Sequence, residues 1–247
     1  MLRGIPDNKI NNQRYTFVSF IPIILFDQFK YFFNMFFLLV CLSQFYEPLR
    51  VGFLISYLAP LLFVLAITML KEAYEDWKRG QRDKLLNEKA YKRLDCHSGI
   101  IRDVKALDIR VGDIIQVNSD ERIPADLVCL FTTEKSGAAY IRTDQLDGET
   151  DWKVRRSVVG IQNEMFDYKD IGNFYHCEVK CEAPSNKIYD FNGTFLYPHH
   201  PGDAVERDIQ EPLTVENTMW ANTVLASQGF ILGLVVYTGR ETRSQMN

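Results

Sequence analysis

The densest group of side chains able to do chemistry is the run Asp144-Gln145-Leu146-Asp147-Gly148-Glu149-Thr150-Asp151. Carboxylates crowded around an Asp-Gly pair describe a turn-forming acidic loop. Gly148 lets the backbone turn sharply and come close to another surface, which puts Glu149 at the loop tip. A carboxylate there can take a proton from water and aim the oxygen's lone pair at an electrophile. Thr150 adds a hydroxyl that can hold either that carboxylate or a phosphate oxygen. On composition alone, the same run also fits an ordinary solvated turn.

The elements that must position this loop are strand-like. Ile114–Val117, Leu127–Phe131 and Ala139–Arg142 are β-prone runs separated by turn residues. Thr223–Ala226 and Phe230–Tyr237 add two more, and Gln228-Gly229 between them reads as a hairpin turn. Residues 160–215 are richer in Gly, Pro, Asn and Asp and read as a loop-rich insertion or long arm. The expected unit over 99–247 is a compact β-rich domain, a distorted sandwich or jelly roll.

The front of the chain is different. The chain holds 28 basic and 32 acidic residues, a formal net charge of −4, yet only Arg3, Asp7, Lys9, Arg14, Asp27, Lys30, Glu47 and Arg50 fall in residues 1–70. Tyr31–Tyr46 and Val51–Leu70 each have no charge apart from their flanks. Twenty residues of helix rise about 30 Å, the thickness of a hydrocarbon core. Within lipid each backbone group must be bonded internally, so two helices joined at Glu47-Pro48-Leu49-Arg50 are expected. The fold class is therefore membrane α plus β. Residues 1–28 form a cytosolic lead with an interfacial helix starting near Pro22, and residues 29–70 a transmembrane hairpin with spans of about 29–46 and 51–70. Residues 71–98 form a cytosolic stalk, with Glu75 and Arg79 spaced for an ion pair and Gly80 as a weak point. Lys9, Arg14 and Lys30 before the hairpin, and Lys71, Lys78, Arg79 and Arg82 after it, place both ends in the cytosol.

Several function classes drop out. The charge balance gives no footprint for nucleic acid. Five scattered cysteines, Cys41, Cys96, Cys129, Cys177 and Cys181, do not make a disulfide framework. A zinc site would need Cys177, Cys181 and His176 to be joined by His199 or His200, whose spacing is wrong, so no metal site is expected. Asn192-Gly193-Thr194 is a glycosylation sequon on the cytosolic side of this topology, hence unused. Gln44, Tyr46 and Glu47 sit at the outer end of the first span. They could meet a lipid head group at entry, or form a hydrated loop with an aromatic anchor.

With these residues in view, the chain resembles the type IV P-type ATPases, the phospholipid flippases. Asp147-Gly148-Glu149-Thr150 is similar to the signature of their actuator domain. The neighbouring runs Asp108–Ile115, Glu121–Asp126, Asn217–Ala221 and Val236–Thr242 also fit, as do Asn12–Thr16 and Phe29–Asn34 before the hairpin. The longer run Asp144–Lys153, with Trp152, most resembles the branch of Golgi and endosomal membranes that works without an accessory subunit.

The resemblance implies an ATP-driven translocase moving phosphatidylethanolamine or phosphatidylserine to the cytosolic leaflet. It implies that Glu149, on a loop made by Asp147, Gly148 and Thr150, promotes dephosphorylation of an aspartyl phosphate. The partners it implies are membrane phospholipids and the remaining pump domains, with ATP and Mg2+ used by the full-length family. The family's Asp-Lys-Thr-Gly-Thr is not in this sequence: Asp83-Lys84 leads into Leu85. The phosphorylation and nucleotide sites are thus expected outside the chain, which alone should not hydrolyse ATP. A truncated, non-catalytic scaffold or dominant-negative form is the alternative.

Overall fold

The computed structural model describes residues 6–95, 98–164, 177–197 and 209–247. The chain divides into two units, Asn11–Leu85 and the first residues through Ile10 together with Leu86–Asn247.

In the first unit, α1 covers Phe20–Phe29 and α2 covers Phe32–Ser43, and the two are bent by 97°. Pro22 falls in the first turn of α1, where its missing N–H costs nothing. Tyr31 is extended at the break, and the Asn34 amide closes it by donating to the Gln28 carbonyl and side chain at 3.1 and 3.2 Å. The expected first span of about 29–46 is thus a twelve-residue helix behind a sharp bend. A short turn at Glu47–Leu49 leads to α3, Leu54–Glu88, a 35-residue helix with Pro60 inside it. Among the described residues α3 is the one helix long and apolar enough by itself to cross a membrane. Cys41, Leu61 and Leu65 form a small core, while Phe32, Phe33, Phe36, Ile55, Phe63 and Leu70 face outward.

The polar half of α3 is not bare. The N–H of Arg14 donates to Asp76 at 2.8 Å, and the backbone and amide N–H groups of Asn12 donate to Asp83 at 2.7 and 2.8 Å. Gly80 lies under the Gln13 side chain, and a Cβ there would come within 2.7 Å of it. The expected Glu75–Arg79 pair forms at 3.6 Å.

The second unit is built on an antiparallel sheet of six strands. They are β1 (Ala90–Leu94), β2 (Ile101–Lys105), β3 (Ile114–Asn118), β4 (Asp126–Thr132), β10 (Thr218–Met219) and β12 (Phe230–Tyr237), in the order β10-β4-β12-β3-β1-β2. A second sheet holds β5 (Ala138–Arg142), β6 (Trp152–Arg156) and β11 (Val224–Leu225), and a third holds β7 (Glu178–Cys181), β8 (Gly193–Tyr197) and β9 (Ile209–Leu213). Two short helices, α4 (Val159–Glu164) and α5 (Arg243–Met246), complete the unit.

Successive residues of a strand point to opposite faces. Along β4, Leu127 and Cys129 join one core with Ala139, Ile141 and Leu225 of the second sheet. Val128 and Leu130 join the other core with Ile161, Phe195 and Leu213, beside the third sheet. The six-stranded sheet is thus covered on both faces, which is why β4 reads as an unbroken apolar run rather than an alternating one.

Three elements differ from expectation. The helix ends at Glu88, and Ala90–Leu94, expected within the stalk, is β1. It pairs with both β2 and β3 and buries Tyr91 and Leu94. Gln228-Gly229 does not make a hairpin: β11 pairs with β5, whereas β12 pairs with β3 and β4, so the chain changes sheets there. Gly229 has φ +85°, and a Cβ at that point would collide with Thr133 Oγ1. Within 160–215, β7, β8 and β9 pair into a sheet and supply Phe195 and Leu213 to the core. Residues 165–176 and 198–208 of that stretch, with His176, His199 and His200, lie outside the described residues, as does Cys96.

The start of the chain is stitched into this unit. Asn8 is buried, donates to the carbonyls of Ala106 and Pro124 at 2.9 and 3.0 Å, and accepts the Gly239 N–H at 3.0 Å. Thr238 donates its hydroxyl to the Pro6 carbonyl at 2.7 Å.

Candidate functional site: an acidic hairpin loop

Strands β5 and β6 are paired in register from Ala138↔Arg156 to Arg142↔Trp152. Residues 143–151 are therefore the hairpin loop that joins them. Ala139 and Ile141 on β5 are fully buried, so the loop grows from a fixed base. Its first turn closes when the N–H groups of Leu146 and Asp147 donate to the Thr143 carbonyl at 2.8 and 3.0 Å. The Glu149 N–H then donates to Asp147 Oδ1 at 3.0 Å, a side-chain-mimicked turn. Gly148 between them has φ +76°, a conformation glycine adopts without steric cost, and a Cβ there would meet nothing within 4 Å.

The four residues singled out from sequence are thus together on one loop. Gly148, Glu149 and Thr150 are exposed, and Asp147 is half-buried. Asp147 shapes the turn with one oxygen and binds the Lys153 ammonium with the other. Lys153 also reaches Glu149 Oε2 at 2.7 Å, so one cation bridges two carboxylates. Burial alone would raise the Asp147 carboxyl, but Lys153 and the Glu149 N–H outweigh it and hold it below the usual carboxylate range. Burial alone would lower the Lys153 ammonium, and the same two carboxylates outweigh that and raise it.

Two members of the cluster were missed by residue type and spacing. Lys153 is the second residue of β6, where a single cation looks like a strand-edge charge. Tyr189 comes from the segment between β7 and β8, with its hydroxyl 3.4 Å from Glu149 Oε1 and 3.5 Å from Asp147 Oδ2. Nothing local in the sequence ties Tyr189 to a loop forty residues earlier.

A resident divalent cation does not fit here. The place between Asp147 and Glu149 that a metal would take is filled by the Lys153 ammonium. Among the described residues no group of three or more His, Cys, Asp or Glu side chains is arranged to hold a metal ion.

Gln44, Tyr46 and Glu47 belong to the helical unit and lie far along the chain from this loop. Gln44 is buried: its amide N–H donates to Ser43 Oγ at 3.1 Å, and its oxygen accepts the Val51 N–H at 3.1 Å. It holds the turn that Tyr46 and Glu47 expose to the surroundings.

Comparison with known proteins covers nearly the whole chain. Residues 3–57 match the family described as "Phospholipid-translocating ATPase N-terminal". The chain is 44% identical over 244 residues to a Bos taurus protein named "Probable phospholipid-transporting ATPase IIB", an alignment covering 98% of this chain and 20% of that protein. It is also 44% identical over 240 residues to phospholipid-transporting ATPase NEO1 of Saccharomyces cerevisiae, covering 97% of this chain and 20% of that one. A Caenorhabditis elegans protein named "Probable phospholipid-transporting ATPase tat-5" is 47% identical over 241 residues, covering 97% and 22%.

Nearly all of this chain is thus similar to a part of phospholipid-transporting ATPases, and its first residues match their N-terminal family. The chain spans about a fifth of the length of the relatives it matches. Nearly all of it aligns, so the acidic loop, the six-stranded sheet and the apolar helices all fall inside the region shared with phospholipid-transporting ATPases.

Proposed function

We propose that this chain is the membrane-entry and actuator part of an ATP-driven phospholipid translocase that moves lipid to the cytosolic leaflet. In this reading ATP supplies the phosphoryl group, accompanied by Mg2+, and both bind in the pump's remaining domains. The β-rich unit is the actuator, a distorted jelly roll, and its acidic loop acts on an aspartyl phosphate held elsewhere in the pump. Glu149 orients a water molecule and takes its proton. The water oxygen attacks phosphorus, the phosphorus–oxygen bond to the aspartyl group breaks, and aspartate and inorganic phosphate leave. Such a reaction is governed by positioning and electrostatics, which a carboxylate on a preformed loop supplies.

The observation that carries this reading is the exposed Glu149 tip on a turn closed by Asp147 and Gly148, in a chain alignable end to end with named lipid-transporting pumps. The outward-facing phenylalanines of α2 and the apolar part of α3 support a membrane hairpin, and the basic residues flanking it support cytosolic ends. Tyr46 and Glu47, on the turn braced by Gln44, are the proposed point of lipid entry. Phosphatidylethanolamine or phosphatidylserine is the proposed cargo. A Golgi or endosomal membrane is the proposed location, with no accessory subunit.

The test is Glu149→Gln in the full-length pump that carries this chain. Phosphoenzyme should form and persist, its breakdown slowed about a hundredfold or more, the scale of a lost general base. Breakdown at the wild-type rate would remove Glu149 from the reaction.

A further inference from the structure

Glu149 does not hang free at the loop tip. Its Oε2 lies 2.7 Å from the Lys153 ammonium and its Oε1 lies 3.4 Å from the Tyr189 hydroxyl. The two contacts hold the carboxylate from both sides. The Lys153 ammonium sits 4.9 Å from the centre of the Tyr189 ring, so cation and aromatic face also hold each other.

Tyr189 is exposed, but the backbone that carries it is fixed. The carbonyl of Ile188 accepts the indole N–H of buried Trp220 at 2.8 Å. Phe191 is buried two residues on, with its ring 5.8 Å from that of Trp220. The segment between β7 and β8 is therefore pinned to the core immediately before and after the tyrosine. Lys153 is equally placed, in β6, paired with Ile141 of β5. The loop tip thus leans on two groups carried by elements packed to the core.

We infer that Lys153 and Tyr189 are positioning residues that set the direction of the Glu149 carboxylate and supply the positive charge it needs beside an acyl phosphate. This rests on the role of Glu149 given above. An anionic carboxylate brought up to an anionic phosphate meets repulsion. An ammonium that travels with the carboxylate offsets it, and Lys153 has three donors, enough for Asp147, Glu149 and one further oxygen. Tyr189 has one donor for two carboxylates. Its ring covers the ammonium, and its hydroxyl selects the rotamer of Glu149. The segment that reads as a loop-rich insertion thereby contributes directly to the actuator's tip.

The experiment uses the full-length pump carrying this chain, with phosphoenzyme formation and breakdown measured separately. Lys153→Met should leave formation intact and slow breakdown about tenfold, the worth of one charge-assisted hydrogen bond. Lys153→Arg should restore most of the rate, which a purely structural role at an exposed hairpin would not require. Tyr189→Phe, which keeps the ring over the ammonium, should slow breakdown about two- to threefold, and Tyr189→Ala more. Wild-type breakdown in both Lys153→Met and Tyr189→Ala, with Glu149→Gln still blocked, would overturn this inference and leave the role of Glu149 standing. Normal breakdown in Glu149→Gln would instead remove the reading on which it rests. Equal loss in Lys153→Met and Lys153→Arg would also overturn it, because charge would then not be what matters.

Discussion

The backbone N–H of Arg243 donates to Asp126 Oδ2 at 2.8 Å, across 117 residues of chain. The other oxygen of this carboxylate accepts the Ala221 N–H, also at 2.8 Å, and Asp126 is fully buried. Burial pushes the Asp126 carboxyl up to about 7, against the pull of the two N–H groups and the Arg243 charge. Its value in the folded state lies above that in the unfolded chain, about 3.9. Between those two values the folded protein keeps a proton that the unfolded chain has released. Stability from this group is therefore largest at low pH, falls as pH rises towards 7, and is level above that.

The measurement is urea unfolding of the detergent-solubilised chain, followed by β-sheet circular dichroism. Asp126→Asn should cost about 1–3 kcal/mol, since one buried backbone N–H then faces an amide NH2. The wild-type advantage over this variant should grow as pH falls from 7.5 to 5. A pH-independent difference would mean that Asp126 does not titrate in that range.

Gly148 and Gly229 both have positive φ, at +76° and +85°, yet alanine should affect them differently. At Gly148 a Cβ meets open space, so Gly148→Ala costs only the backbone preference, about 1–2 kcal/mol. It should reduce phosphoenzyme breakdown in the full-length pump while the fold persists. At Gly229 the Cβ collides with Thr133 Oγ1, and Gly229→Ala should be the more destabilising of the two. Adding Thr133→Ala should recover part of the loss in an unfolding experiment. Equal costs at the two glycines would contradict this contrast.

Asn8→Ala removes a side chain that serves two carbonyls and one N–H in the buried interior. Leaving those groups unmatched should cost about 2–4 kcal/mol. Hydrogen exchange at the Gly239 amide should rise most, because it loses its acceptor outright. Unchanged protection of that amide would show that Asn8 is not what holds it.

Gln44→Ala should loosen the turn between α2 and α3 without favouring one lipid over another, because the polar atoms of Gln44 are spent inside the turn. Glu47→Gln, on the exposed face of the same turn, should be the variant that shifts preference among labelled lipids in the full-length pump. A preference shift confined to Gln44→Ala would exchange the two roles.

Much of this was legible in local sequence. β3, β4 and β5 lie where β-branched and aromatic runs placed them, and the acidic run lies on the loop after β5, as its Asp-Gly pair required. What could not be read locally was settled by distant partners. Ala90–Leu94 follows a helix-forming stretch without a break, and it becomes a strand only because β2 and β3 are there to pair with it. Phe230–Tyr237 follows a glycine that looks like a hairpin turn, and its partners are instead β3 and β4. Lys153 and Tyr189 carry no signal at all until the loop that they brace has been folded.

The hydrogen bond between Asn8 and Gly239 joins residues 231 positions apart. A ribosome adding about 5–20 residues each second needs on the order of ten to fifty seconds to travel that distance. Throughout that interval the Asn8 side-chain oxygen has no Gly239 N–H to accept, because that residue is not yet synthesised. Closure of the Asn8–Gly239 contact is therefore a late step, made only after the segment that follows β12 has been synthesised.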